Sequence, residues 1–151
     1  MNSYIVKCDT LALVPISKLE TKVIEKYGSF KIKKNVMKIL EESCEYYGCT
    51  YLGRKEATKN MIDIVNKIPI IIEESNNLIM FPIVSPRQTK CVWISLNQIK
   101  KYDSKNNKTE LYFMCNKKMT LNISYYSFNN QYLHATKLDS TLRKRINNAK
   151  E

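Results

Sequence analysis

The sequence predicts an α+β fold: an antiparallel sheet with two mid-chain helices and a long C-terminal helix, in one domain over residues 1–151. Three observations carry that expectation. Short β-branched and aromatic runs separated by polar links fill the middle of the chain. Apolar residues recur at helical spacing between Asn35 and Val65. From Ser124 onward the same spacing is sustained far longer.

Taken in order, residues 4–8 and 11–16 read as short strands, and 22–26 with 29–33 as a hairpin turning at Tyr27-Gly28. Phe30 and Ile32 alternate with Lys31 and Lys33, the period of a half-buried strand. Asn35 is placed to cap a first helix and Gly48 to end it in the left-handed conformation. Val36, Met37, Leu40, Cys44 and Tyr47 form its apolar stripe, while Glu41, Glu42 and Glu45 on its exposed side repel phosphates. After a short link at 49–53, Ala57, Met61, Ile64 and Val65 predict a second helix over 54–65. Its first turns carry Arg54, Lys55, Thr58 and Lys59. Cations there oppose the helix dipole by a few tenths of a kcal/mol, roughly, which a nearby anion would offset.

Residues 68–73 and 78–84 read as a hairpin around Glu74-Ser75-Asn76-Asn77. Residues 91–96, 98–102, 109–115 and 119–123 read as further strands of an antiparallel meander, with turn signals at Asn106-Asn107 and Asn116-Lys117. Ser124 caps the final helix, and Ile123 with Phe128 forms its staple. Phe128, Tyr132, Ala135, Leu138, Leu142, Ile146 and Ala149 fall on its stripe. Lys137 and Lys144 point away from that stripe, and Arg143 and Arg145 flank it.

Composition narrows the function. The 151 residues include 25 Lys plus Arg against 14 Asp plus Glu, a formal charge of +11. The excess is uneven: residues 1–75 hold 12 basic and 10 acidic side chains, whereas 76–151 hold 13 and 4. A basic half suits a polyanion, nucleic acid before an anionic membrane. The lysine excess is also what an AT-rich genome encodes, so charge by itself does not decide. Gly28, Gly48 and Gly53 cannot spell either common phosphate-binding loop. The single His134 excludes multi-His zinc sites, and no metal or cofactor is expected. Cys8, Cys44, Cys49, Cys91 and Cys115 are odd in number and contain no CxxC, as expected of free thiols in a reducing cytosol. The first residues lack a signal-peptide pattern, and the longest apolar run, 78–84, is far below the roughly 20 residues of a membrane helix. A soluble cytoplasmic protein with no membrane partner is expected.

Catalytic patterns are weak. GxSxG is absent, and no cysteine is singled out as a partner for His134. Asp9, Glu20 and Lys22 allow one alternative, a metal-dependent nuclease whose two carboxylates hold a cation while the lysine activates water. The pattern is short and arises easily by chance in a lysine-rich chain. Nucleic-acid binding without catalysis is the stronger reading. Arg54, Lys55 and Lys59 form one expected contact patch and Arg87 with Lys90 a second. Arg143, Lys144 and Arg145 form a third, which serves either DNA or an oligomer interface. Arginine forks bidentately and suits narrow minor grooves. Tyr51, Tyr125, Tyr126, Asn129 and Asn130 neighbour these patches and offer polar contacts, although for most of the tyrosines core packing is the expected role. The short link between the two mid-chain helices also permits a helix-turn-helix, with the Arg54 helix in a major groove.

Three blocks carry a family resemblance. Tyr46-Tyr47-Gly48-Cys49-Thr50-Tyr51-Leu52-Gly53-Arg54-Lys55 resembles an aromatic-Gly…Tyr-x-Gly-Arg-Lys signature. Phe81-Pro82, Pro86-Arg87 and Cys91-Val92-Trp93-Ile94-Ser95 resemble a second block, and Ile123-Ser124-Tyr125-Tyr126-Ser127-Phe128-Asn129-Asn130-Gln131 a third. In this order the chain resembles the ComK family, competence transcription factors of low-GC Gram-positive bacteria. The resemblance implies an activator of DNA-uptake genes on the nucleoid in the cytoplasm. It implies binding to paired AT-rich boxes of double-stranded DNA, mainly through the minor groove, as a homo-oligomer acting with RNA polymerase. It also implies an adaptor that delivers the protein to an ATP-dependent protease. The family runs on well past its final helix, whereas this sequence reaches Glu151. The expectation is a relative short of that tail, with a shortened paralogue acting through protein–protein contacts as the alternative.

Overall fold

Antiparallel pairing organises the whole chain. The computed structural model describes residues 2–150, and among them lie nine strands, three α-helices and one 3₁₀ turn. β1 (Thr10–Ser17), β2 (Glu20–Glu25) and β3 (Gly28–Ile32) form one antiparallel meander. After α1 (Val36–Tyr46) and α2 (Tyr51–Ile62), a second meander follows: β4 (Ile70–Glu73), β5 (Leu78–Pro82) and β6 (Trp93–Ser95). Ala12 opposite Ile94 and Leu13 opposite Trp93 join the two into a six-stranded sheet of order β3-β2-β1-β6-β5-β4. Beyond the 3₁₀ turn at Leu96–Gln98, β7 (Ile99–Lys105), β8 (Lys108–Phe113) and β9 (Lys118–Leu121) form a separate three-stranded sheet, followed by α3 (Tyr125–Ala149). The α+β class is as expected. The single meander is corrected to two sheets, because β6 turns back to pair with β1 and leaves β7–β9 to pair among themselves.

The large sheet is covered on both sides, which explains the unbroken apolar runs of β4 and β5. Alternate residues divide between two cores. Leu13, Ile70, Ile72, Leu78, Met80 and Trp93 pack with Val36, Ile39, Leu40 and Cys44 of α1. Ile71, Ile79, Phe81 and Ile94 pack with Phe128, Ala135 and Leu138 of α3 and with Leu111, Phe113 and Leu121 of the small sheet. In β1 the register shifts between Thr10 and Ala12, so Leu11 and Ala12 both enter the second core before Leu13 returns to the first. β4 is an edge strand, and α2 lies against it and α3, shielding its free backbone groups.

Local chemistry sets the helix ends. The Asn35 side chain accepts from the Lys38 amide at 2.8 Å, as its capping role predicts. Gly48, at φ +88°, ends α1 with the amides of Gly48 and Cys49 bonded to the carbonyls of Glu45 and Cys44, both at 3.0 Å. The second helix begins earlier than its apolar stripe indicates. Thr50 caps it by accepting from the Gly53 amide at 3.0 Å, and a Cβ at position 53 would come within 2.8 Å of that hydroxyl. Gly53 therefore belongs to the first turn rather than to a link. The helix stops at Asp63 in the left-handed conformation, leaving Ile64 and Val65 outside. Residues 4–8 are not a strand. The Val6 amide donates to the Ser43 hydroxyl at 2.9 Å and its carbonyl accepts from the Tyr47 hydroxyl at 2.9 Å, so α1 side chains replace a ladder.

α3 starts at Ser124 as expected, with Ile123 and Phe128 in one core. The buried Gln131 amide donates to the carbonyls of Lys67 and Pro82 at 2.8 and 2.9 Å, fixing the helix across β5. Ala149 is exposed, so the apolar stripe outlasts the surface it covers. No helix among the described residues is long and apolar enough to cross a membrane.

Candidate nucleic-acid interface

A cleft opens at one end of the large sheet because β1 outruns its neighbour. β6 pairs only with Ala12 and Leu13, so β1 from Val14 to Ser17 has no partner on that side. Pro15, which lacks an amide proton, sits where the ladder has ended. The space beside it is bounded by the loop that leads into β6. That loop is closed by the Ile83 amide on the Val92 carbonyl at 3.1 Å and by the Cys91 thiol on the Val84 carbonyl at 3.3 Å. Within it the Gln88 amide bonds the Ser85 carbonyl at 2.9 Å, with Pro86 at the second position of the turn, and this holds Arg87 outward. Pro15–Lys18, the start of α1 at Asn35–Met37 and the loop Pro86–Cys91 enclose about 680 Å³. An adjoining cleft of about 620 Å³ shares Ser17, Lys18 and Asn35 and adds Leu19, Glu20, Lys33, Lys34 and Lys38. The two form one continuous groove around the N-terminus of α1.

The groove is cationic. Lys18 comes from the β1–β2 turn, Lys33, Lys34 and Lys38 from the β3–α1 junction, and Arg87 and Lys90 from the loop before β6. Lys34 is neutralised by Glu42 at 2.6 Å. Among the described residues no carboxylate lies within ion-pair distance of Lys18, Lys33, Lys38, Arg87 or Lys90. The first turn of α1 carries no acidic residue, so the positive end of its dipole adds to the same field. Beside the groove, Lys22 stands directly opposite Lys31 across β2 and β3, a like-charge pair that costs stability unless an anion is near. Glu41 and Glu45, whose carboxylates argued against this helix meeting phosphates, lie in its C-terminal half. The N-terminal end faces the groove.

The expected patches divide between two ends of the sheet. Arg87 and Lys90 line the groove, and both are exposed. Arg54 and Arg143 meet at the β4–β5 turn, beyond the opposite end of β5. The Arg54 guanidinium donates to the Glu74 carboxylate at 2.8 Å, and Arg143 donates to the Glu74 backbone carbonyl at 2.6 Å while pairing with Asp139 at 3.6 Å. The turn thus ties α2 to α3, and only 19% of the Arg54 side chain is exposed. Lys59 pairs with Glu56 at 3.6 Å. Lys55 is half-buried, and Lys144 and Arg145 are exposed; no carboxylate among the described residues pairs with them. Among the neighbouring tyrosines Tyr51 and Tyr125 make aromatic contacts within the fold, while Tyr126 is 74% exposed. Tyr51 packs edge-on to Trp93 with ring centres 6.4 Å apart, Tyr125 stacks on Tyr102, and the Tyr102 hydroxyl donates to Asn129 at 2.5 Å. Sequence clustering groups Lys33 with Lys31 and Lys34 as a basic run but points to neither Lys18 nor Lys38. The local signals that place them there are the turn between β1 and β2 and the Asn35 cap.

The two carboxylates of the nuclease pattern, Asp9 and Glu20, are not brought together. Asp9 lies beside Lys26 at the far end of β2, 3.7 Å from its ammonium, whereas Glu20 opens that strand opposite Ser17. Some twenty ångströms of strand, at about 3.3 Å per residue, separate the two carboxylates, too far for one cation. Burial pushes the Cys91 thiol up to about 11 and the Cys44 thiol to about 12, so neither supplies a thiolate at neutral pH.

The profile of the family described as ComK protein matches residues 1–147. The chain is also similar to the competence transcription factor of Bacillus subtilis (strain 168), at 34% identity over 150 residues, covering 97% of this chain and 78% of that protein. No solved structure matches the chain.

Proposed function

The chain belongs to the ComK family, and we propose that this transcriptional regulator of competence acts by gripping AT-rich duplex DNA in the groove at the N-terminus of α1. The observation that carries the reading is the gathering of Lys18, Lys33, Lys38, Arg87 and Lys90 from three separate segments, none of them ion-paired among the described residues, with Glu20 lining the same groove. Separate loops converging on an excess of unpaired cations fit a phosphate backbone better than a solvated surface, where the two signs are evenly interspersed. Arg87, outward on an ordered turn, enters the minor groove, whose narrow A·T tracts concentrate negative potential. Lys90 and the three groove lysines hold the flanking phosphates. Lys55, Lys59, Lys144 and Arg145 add a second, weaker contact from the other end of the sheet, and Arg54 and Arg143 keep the β4–β5 turn in place between them.

The family resemblance supports the remaining parts: a cytoplasmic activator that works as a homo-oligomer on the nucleoid with RNA polymerase, under control of a protease adaptor. A binding titration on AT-rich and GC-rich duplexes at several salt concentrations tests the core. The expected outcome is tighter binding to the AT-rich duplex and a steep salt dependence. Equal affinity for both, or none in dilute buffer, overturns the proposal.

A further inference from the structure

We propose that Leu19, at the tip of the β1–β2 hairpin, is an apolar wedge that enters a base step of the bound duplex. The inference rests on the DNA-binding reading above and adds a deformation step to it.

The turn linking β1 to β2 consists of Lys18 and Leu19, and neither adopts a positive φ. A turn without positive φ makes no demand for Asn, Asp or Gly, and it makes none for leucine either. Leu19 is 78% exposed, so the fold gains almost nothing from its side chain. Scattered exposed apolar residues are ordinary on protein surfaces, but Leu19 is not isolated. Ile16, 45% exposed, is the extra residue where the register slips between Pro15 and Ser17, so a bulge turns a second apolar side chain to the same end. Both line the cationic groove, Ile16 in one half and Leu19 in the other. The tip is also ordered: the Leu19 amide donates to the Ser17 hydroxyl at 3.1 Å, and Ser17 pairs with Glu20.

An apolar tip on a fixed hairpin, flanked by cations that hold phosphates on either side, is the arrangement that unstacks a base step from the minor-groove side. It also accounts for A·T preference without base-edge contacts. TA steps are among the easiest to open, so a wedge discriminates by deformability.

The test uses the full chain and an AT-rich duplex carrying 2-aminopurine at successive steps. Wild-type protein should raise the probe's fluorescence at one or two steps. Leu19→Ala should abolish that rise and weaken binding about tenfold, while Leu19→Met keeps most of both. The far-UV circular dichroism of each variant should match wild type, since the side chain packs on nothing. Tight binding with no unstacked step, or a fluorescence rise that survives Leu19→Ala, refutes the wedge alone. A change in the sedimentation of the free protein on Leu19→Ala, with unstacking intact, assigns the tip to a protein contact and overturns the proposal. Failure of wild type to bind any duplex removes the DNA-binding reading itself, and the wedge with it.

Discussion

Neutralising Arg87 and Lys90 together, as Arg87→Gln with Lys90→Gln, should flatten the salt dependence of DNA binding by a predictable amount. Five groove cations, Lys18, Lys33, Lys38, Arg87 and Lys90, lack a carboxylate partner among the described residues. If each displaces counterions from one phosphate, the groove contributes about −4.5 to the slope of log K against log salt, at about −0.9 per contact, on top of whatever the weaker second patch adds. Between 50 and 200 mM salt that is a loss of roughly 500-fold in affinity. The double variant keeps three groove contacts, so the groove's share falls to about −2.7, or roughly 40-fold over the same range, and the slope flattens by about 1.8 whatever the second patch adds. Fluorescence anisotropy of a labelled AT-rich duplex across a salt series reads both slopes. The matched control is Lys100→Gln with Lys108→Gln, which removes the same charge from exposed positions on the small sheet. If the control flattens the slope as much as the groove variant, affinity comes from diffuse charge and the groove has no special role.

Three further outcomes follow from the packing. Gly48→Ala forces a Cβ onto a residue at φ +88° with no neighbour to clash, so the cost is backbone strain alone, about 1 kcal/mol by urea denaturation, with DNA affinity unchanged. Glu74→Ala removes the carboxylate that holds Arg54 but leaves the backbone carbonyl that holds Arg143. With Glu74 49% exposed, screening limits the loss to about 0.5–1 kcal/mol, and a loss of several kcal/mol would mean the turn does more than tie two helices. Burial, with Lys137 and Lys67 nearby, holds His134 below its ordinary value of 6.5. The unfolded chain therefore takes up a proton first as pH falls, and the folded state loses stability from that value downward as the pH drops through the depressed one. His134→Gln should be less sensitive over that window in thermal melts at stepped pH, and an unchanged profile would show that another group sets it.

Much of the fold was legible because its signals are local. Asn35, Gly48 and Ser124 mark helix ends by side-chain or backbone chemistry that acts within four residues. The stripe of α3 and the hairpin around Glu74–Asn77 are equally short-range, and the turn expected at Tyr27-Gly28 falls one residue earlier, at Lys26-Tyr27, with Gly28 opening β3. The helix over 51–62 starts three residues before its apolar stripe indicates because its N-terminal turn is half exposed and its start depends on Thr50 and Gly53, while the stripe begins deeper. Residues 4–8 carry strand composition, yet their partners are Ser43 and Tyr47, some forty residues away. The groove was the least legible part. It exists because β6 is three residues long and pairs with β1 across some eighty residues, a contact no periodicity encodes. Arg87 and Lys90 were picked from charge and neighbourhood. Lys33 belongs to a basic run and Lys18 and Lys38 to a turn and a helix start that are local, but their meeting with Arg87 and Lys90 depends on topology, and the Glu74 anchor shared by Arg54 and Arg143 is likewise invisible until α2 and α3 are brought together.

The most direct test of the groove is lysine footprinting by acetylation and mass spectrometry, with and without an AT-rich duplex at saturating concentration. Lys18, Lys33, Lys38 and Lys90 should become strongly protected while Lys100, Lys105 and Lys108 on the small sheet continue to react. Protection centred on the small-sheet lysines, or none at the four groove positions under conditions where the duplex is bound, would contradict the account.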